Sequence, residues 1–131
     1  MPQAANLTVK NAALVDKTFT LLTPAPGYGV QGAEWALKEG ATSVAYPRFT
    51  LSASKTPNRS RKVAVKVRVP AVYTSVATGL PVVASNIEFN GTFSVPDDFP
   101  EVQKDDAVAY ATGVISTALV KSCLRDGLPA T

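Results

Sequence analysis

Between Arg48 and Val69 the chain reads RFTLSASKTPNRSRKVAVKVRV, and side-chain type alternates strictly on either side of a basic turn. A β-strand sends successive side chains to opposite faces, so this spacing predicts two strands with two chemically different sides. In the second, Val63, Val65, Val67 and Val69 share one side, while Lys62, Ala64, Lys66 and Arg68 share the other. In the first, Phe49, Leu51 and Ala53 oppose Arg48, Thr50, Ser52 and Ser54. One side can pack a core while its reverse presents ammonium, guanidinium and hydroxyl groups. Such a surface suits a polyanion, with nucleic acid the first candidate.

Charge distribution sharpens this. The formal net charge is only +3, yet no acidic residue occurs from Gly40 to Ile87. That window carries Arg48, Lys55, Arg59, Arg61, Lys62, Lys66 and Arg68. Five carboxylates gather instead at Asp97, Asp98, Glu101, Asp105 and Asp106. A merely solvated charged face is the bland alternative, but such segregation favours an anionic partner.

Further strands are predicted around Leu7–Lys10, Thr18–Leu22, Ala33–Leu37, Tyr46–Lys55, Arg61–Val69 and Val83–Val95. The last puts Ile87, Phe89 and Phe93 on one side and Asn86, Glu88, Asn90 and Thr92 on the other. Thr23–Gly29 is a loop by its proline and glycine content, and Glu39–Gly40 a turn. Short strands joined by turns argue for antiparallel meander pairing. After Pro96, acids followed by Pro100 signal a helix start. Ala107, Ala111, Ile115, Ala118 and Leu119 then form an apolar stripe, with weak points at Gly113 and Lys121–Ser122 and an end at Gly127 and Pro129. Strands first and helices last define an α+β chain. A sheet with one polar face needs cover for the other, which favours a dimer over a monomer.

With 131 residues and 46% hydrophobic content, the chain has the makings of one domain. Lone Cys123 forms no intramolecular disulfide, which fits a reducing compartment of synthesis. Histidine is absent, so imidazole bases and ligands are excluded. The start, MPQAANLTVK, lacks the pattern of a signal peptide, and no apolar run reaches membrane-spanning length. Asp97–Asp98 and Asp105–Asp106 are the only acidic pairs a metal enzyme would use, and their place near a helix start is better explained by the helix dipole. No enzymatic role, cofactor or membrane partner is expected.

The chain resembles the coat proteins of single-stranded-RNA bacteriophages, the levivirus group. The resemblance rests on GAEW (Gly32–Trp35), the Tyr46–Pro70 strand–turn–strand with NRSRK and VRVP, LPVVAS (Leu80–Ser85) and the helical stretch closing in LRDGLP. It implies one domain over 1–131: an N-terminal hairpin (1–25), a five-stranded antiparallel sheet (30–95) and two helices for dimerisation (98–127). It also implies an interlocked homodimer with a continuous ten-stranded sheet, an icosahedral shell, single-stranded viral RNA inside and a single maturation protein copy in the virion. Synthesis and assembly would take place in the bacterial host cytoplasm.

By the same resemblance, Thr50, Ser52 and Lys66 match an adenine-binding pocket and Asn90 a further RNA contact, with Arg48, Lys62 and Arg68 on the same face. A dimer would bind an RNA hairpin as translational repressor. Ala64 replaces a threonine found in some relatives, and Glu88 replaces a base-stacking tyrosine. The hairpin must therefore differ, or repression is weak. The loop Ala71–Pro81, with Thr74, Val76, Thr78, Gly79 and Pro81, would surround the shell's symmetry axes, with a cis bond open at Pro81. The alternative from another class is a dimeric RNA-binding regulatory module that never assembles.

Overall fold

A computed structural model describes residues 3–25, 32–39, 43–57 and 59–131. The chain divides into two compact units, Met1–Pro96 and Asp97–Thr131. The first is an antiparallel sheet in strict sequence order, β1 to β6. Every connection is a local reversal, as the alternating strands and polar turns predict.

β1 (Leu7–Lys10) pairs with the first half of β2 (Asp16–Thr23), Leu7 opposite Phe19 and Lys10 opposite Asp16. The turn between them is organised by Asn11, whose Oδ1 accepts from the amides of Ala13 and Val15, both at 3.0 Å. The second half of β2 leaves β1 and pairs with β3 (Ala33–Ala36), Leu21 opposite Trp35. The N-terminal hairpin and the expected five-stranded sheet therefore share one strand. The expected loop Thr23–Gly29 and the Glu39–Gly40 turn fall partly outside the described residues, as does Asn58 of the basic turn.

β4 (Arg48–Thr56), β5 (Ser60–Thr74) and β6 (Pro81–Pro96) complete the meander, with a short 3-10 helix at Ser43–Ala45 before β4. β5 and β6 are longer than their sequence pattern suggests, because pairing continues past Pro70 to Thr74 opposite Pro81. β4 begins at Arg48, opposite Arg68, so beyond that point β5 has only β6 beside it. Pro70 thus sits where the strand has a free edge, and its missing N–H breaks no ladder bond on that side. The loop expected at Ala71–Pro81 shrinks accordingly to residues 75–80.

The buried core among the described residues is small and comes from β3: Ala33, Trp35 and Ala36. Trp35 stacks at a tilt on Phe49, ring centroids 5.2 Å apart, and its indole Nε1 donates to the Ala5 carbonyl at 2.8 Å. Asn6 Oδ1 accepts from the Leu21 amide, so two adjacent residues tie the N-terminal segment to the sheet. Phe49, Leu51, Val63, Val65, Val67, Phe89 and Phe93 are only half-buried.

The second unit holds α1 (Glu101–Ile115) and α2 (Ala118–Asp126), whose axes differ by 53°. The division falls at Ser116–Thr117, after the glycine flagged as weak, and Lys121–Ser122 lies unbroken inside α2. Ser116 Oγ donates to the Gly113 carbonyl and Thr117 Oγ1 to that of Val114, at 2.9 and 2.8 Å, so hydroxyls share carbonyls with the backbone amides at the break. Neither helix buries a residue, and neither alone is long and apolar enough to cross a membrane.

Gly127 closes α2 in the left-handed region at φ 68°, its amide donating to the Cys123 carbonyl. A Cβ disfavours that conformation by about 1–2 kcal/mol. Gly127→Ala is therefore expected to lower stability by about 1 kcal/mol, read as a drop in the thermal unfolding midpoint. An unchanged midpoint would mean that α2 ends freely in another way.

Candidate nucleic-acid interface

Register decides which polar side chains meet. Thr50 lies opposite Lys66, and Lys66 opposite Asn90; Glu34 of β3 completes that row. The next row runs Ala36, Arg48, Arg68, Glu88. Ser52, Ala64 and Thr92 form a third, and Ser54, Lys62 and Ser94 a fourth. Directly opposed residues in an antiparallel pair share a face. All seven predicted positions, Arg48, Thr50, Ser52, Lys62, Lys66, Arg68 and Asn90, consequently stand on one side of β4–β6. Phe49, Val67 and Phe89 line up on the reverse.

The cations on this side remain accessible: the side chains of Lys66 and Arg68 are 50% exposed and that of Arg48 37%. Two details set the charge of this face. Lys55 and Arg61 oppose each other with the other parity, in line with Val95, and do not belong to this face. Carboxylates from outside the acid-free window also join it. Arg48 Nη1 donates to Glu34 Oε1 at 2.6 Å. Glu88 Oε1 lies 3.8 Å from Lys66 Nζ and 3.9 Å from Arg68 Nε, close enough to attract but beyond hydrogen-bond reach.

Four cations therefore face two carboxylates, and the face keeps a positive balance. Glu34 was the functional neighbour that sequence reasoning passed over. Its alternation with Ala33 and Trp35 puts it on the polar side, but only the register of a four-residue strand shows it beside Arg48.

In the second predicted group, Thr74 ends β5 and Pro81 begins β6, while Val76, Thr78 and Gly79 occupy the tip. The tip is held by Ser75 N donating to Leu80 O at 2.9 Å and Gly79 N to Ser75 O at 2.7 Å. Gly79 has φ 69°, and Val76 is fully exposed. Among the described residues there is no cis peptide bond.

The sequence matches the family described as Levivirus coat protein over residues 2–128. No curated protein sequence matches the chain. Among solved structures, "Virus-like particle of bacteriophage NT-214" superposes with a TM-score of 0.83 at 28% identity, covering 99% of this chain and 100% of that one. "Virus-like particle of Beihai levi-like virus 21" gives 0.83 at 14% identity, covering 99% of each chain. The bacteriophage GA protein capsid gives 0.76 at 19% identity, covering 95% of each.

A two-faced antiparallel sheet followed by two helices is thus the fold of a structural, capsid-forming protein. The chain belongs to the levivirus coat protein family, and its place is the virion capsid.

Proposed function

We propose that the chain forms a homodimer with interlocked helices, and that dimers close an icosahedral shell around a single-stranded RNA genome. Residues 1–131 act as one coat-protein domain, made in the host cytoplasm, and the finished virion carries one maturation protein copy. The observation that carries the RNA reading is the register that gathers Arg48, Thr50, Ser52, Lys62, Lys66, Arg68 and Asn90 on one accessible face.

Each residue type suits its part. Hydroxyls of Thr50 and Ser52 and the amide of Asn90 both donate to and accept from base edges, while the cations attract phosphate. Binding of a hairpin in the viral RNA would repress translation. Glu88 repels phosphate at its own position, so the preferred hairpin presents something other than backbone there. The Ser75–Leu80 tip, with Thr74 and Pro81 at its base, packs around the shell's symmetry axes. Assembly is supported by the particles named for the similar structures.

Expression of the protein alone, followed by size exclusion and electron microscopy, tests the assembly. Closed spheres are expected; a dimer that never assembles would favour the regulatory module instead. RNA affinity should fall steeply with added salt. Lys66→Ala is expected to weaken RNA binding roughly tenfold, equivalent to about 1.4 kcal/mol, with particles still forming. Loss of assembly in that variant would place the side chain at an interface and not against RNA.

A further inference from the structure

A hollow of about 220 Å³ opens at the end of the polar face, beside the 3-10 helix. Among the described residues its lining includes Arg48, Arg68, Tyr46, Ser43, Pro70 and Val83 and no carboxylate. The shape has a local cause. An irregularity between Ala71 and Val72 puts Val83 opposite Val72, on the side of Arg68 and Pro70, so apolar residues replace polar ones beyond the arginine row.

Arg48 and Arg68 are directly opposed in the β4–β5 register. Like charges in that relation are destabilising. Their carboxylate partners do not stand between them: Glu34 comes from β3 on one flank and Glu88 from β6 on the other. Glu34 takes one donor of Arg48, and Glu88 is too distant from Arg68 Nε for a hydrogen bond. Both guanidinium forks therefore have donors to spare in a hollow that Tyr46 and Ser43 also line. An anion with several oxygens would relieve the arginine–arginine repulsion and engage all four groups.

We propose that this hollow is a phosphate-binding site, distinct from the Thr50–Ser52–Lys66–Asn90 group, that holds the RNA backbone regardless of sequence. The assignment rests on the reading that RNA lies against the polar face, and names which end of that face grips the strand. The chemistry is that of a tetrahedral oxyanion, so a free phosphate ion is the competing source.

The test measures binding of short single-stranded RNAs of unrelated sequence to the wild-type protein and to Arg68→Gln, Arg68→Lys and Tyr46→Phe across a salt series. Arg68→Gln should bind about five- to tenfold more weakly for every sequence, and the slope of log affinity against log salt should shrink by about 0.7, one phosphate's share. Arg68→Lys should restore the slope but not the full affinity, because an ammonium lacks the fork. Tyr46→Phe should lose affinity with the slope intact. Circular dichroism of each variant separates these effects from misfolding.

If wild-type protein binds RNA and Arg68→Gln keeps both affinity and slope, the hollow is not the grip, while the RNA face stands. If wild-type protein binds none of the RNAs, the RNA face itself falls. Inorganic phosphate titrated against the tyrosine signals forms the last arm. Saturation by phosphate that leaves RNA binding untouched would assign the hollow to the free ion and overturn the proposal.

Discussion

Trp35→Ala is expected to cost about 3–5 kcal/mol of folding stability, a large share of what holds a domain of this size together. The size follows from how few residues are buried: Trp35 is 4% exposed and its buried companions are two alanines. Removing the indole strips Phe49 of its ring partner and leaves a void on the face that Trp35 and Phe49 share. It also orphans the Ala5 carbonyl, which accepts the indole N–H, and loosens the N-terminal segment. Trp35→Phe separates the two effects: it keeps a ring and loses the hydrogen bond, for about 1 kcal/mol plus a smaller packing loss. Denaturant unfolding followed by circular dichroism measures both. A loss below about 1 kcal/mol for the alanine variant would show that stability resides elsewhere.

Much of this architecture was legible because alternation is a local property. Leu51 to Val67 announce the two faces before any register is known, and the Ile87–Phe93 pattern extends them to a third strand. The α+β order and a helix starting at Glu101 likewise follow from nearby residues. Three features were not legible, two of them because they depend on a different strand. Pro70 reads as a strand end, yet it is tolerated because β4 stops short of it, a fact about a different strand. Gly113 drew attention as a break point, while the break came where Ser116 and Thr117 hydroxyls competed for backbone carbonyls. Glu34 lies outside the acid-free stretch of sequence and meets Arg48 only once β3 pairs with β4. The candidate interface was thus readable in its membership and not in its electrostatic balance.

Leu119→Asp is expected to abolish self-association while leaving the single chain folded. In one chain Leu119 is 65% exposed, and no residue of either helix is buried, so the substitution removes little packing there. Leu119, Val120, Cys123 and Leu124 nevertheless follow helical spacing on one side of α2. Val108, Tyr110, Val114 and Ile115 of α1 are also large and exposed. Exposed apolar stripes of this kind mark surfaces that a partner covers. In the proposed interlocked dimer each copy would bury Leu119, gaining about 1.5–3 kcal/mol per side chain. Two-fold symmetry doubles every change at that contact. An aspartate there forfeits both gains and adds two desolvated carboxylates, each costing several kcal/mol. Sedimentation or light scattering should therefore report a monomer and no particles. Circular dichroism should stay that of the wild type. Lys121→Ser, on the polar side of the same helix, should assemble normally. Wild-type dimers or shells from Leu119→Asp would place α2 outside the subunit contact and require the sheet's apolar face to find its cover elsewhere.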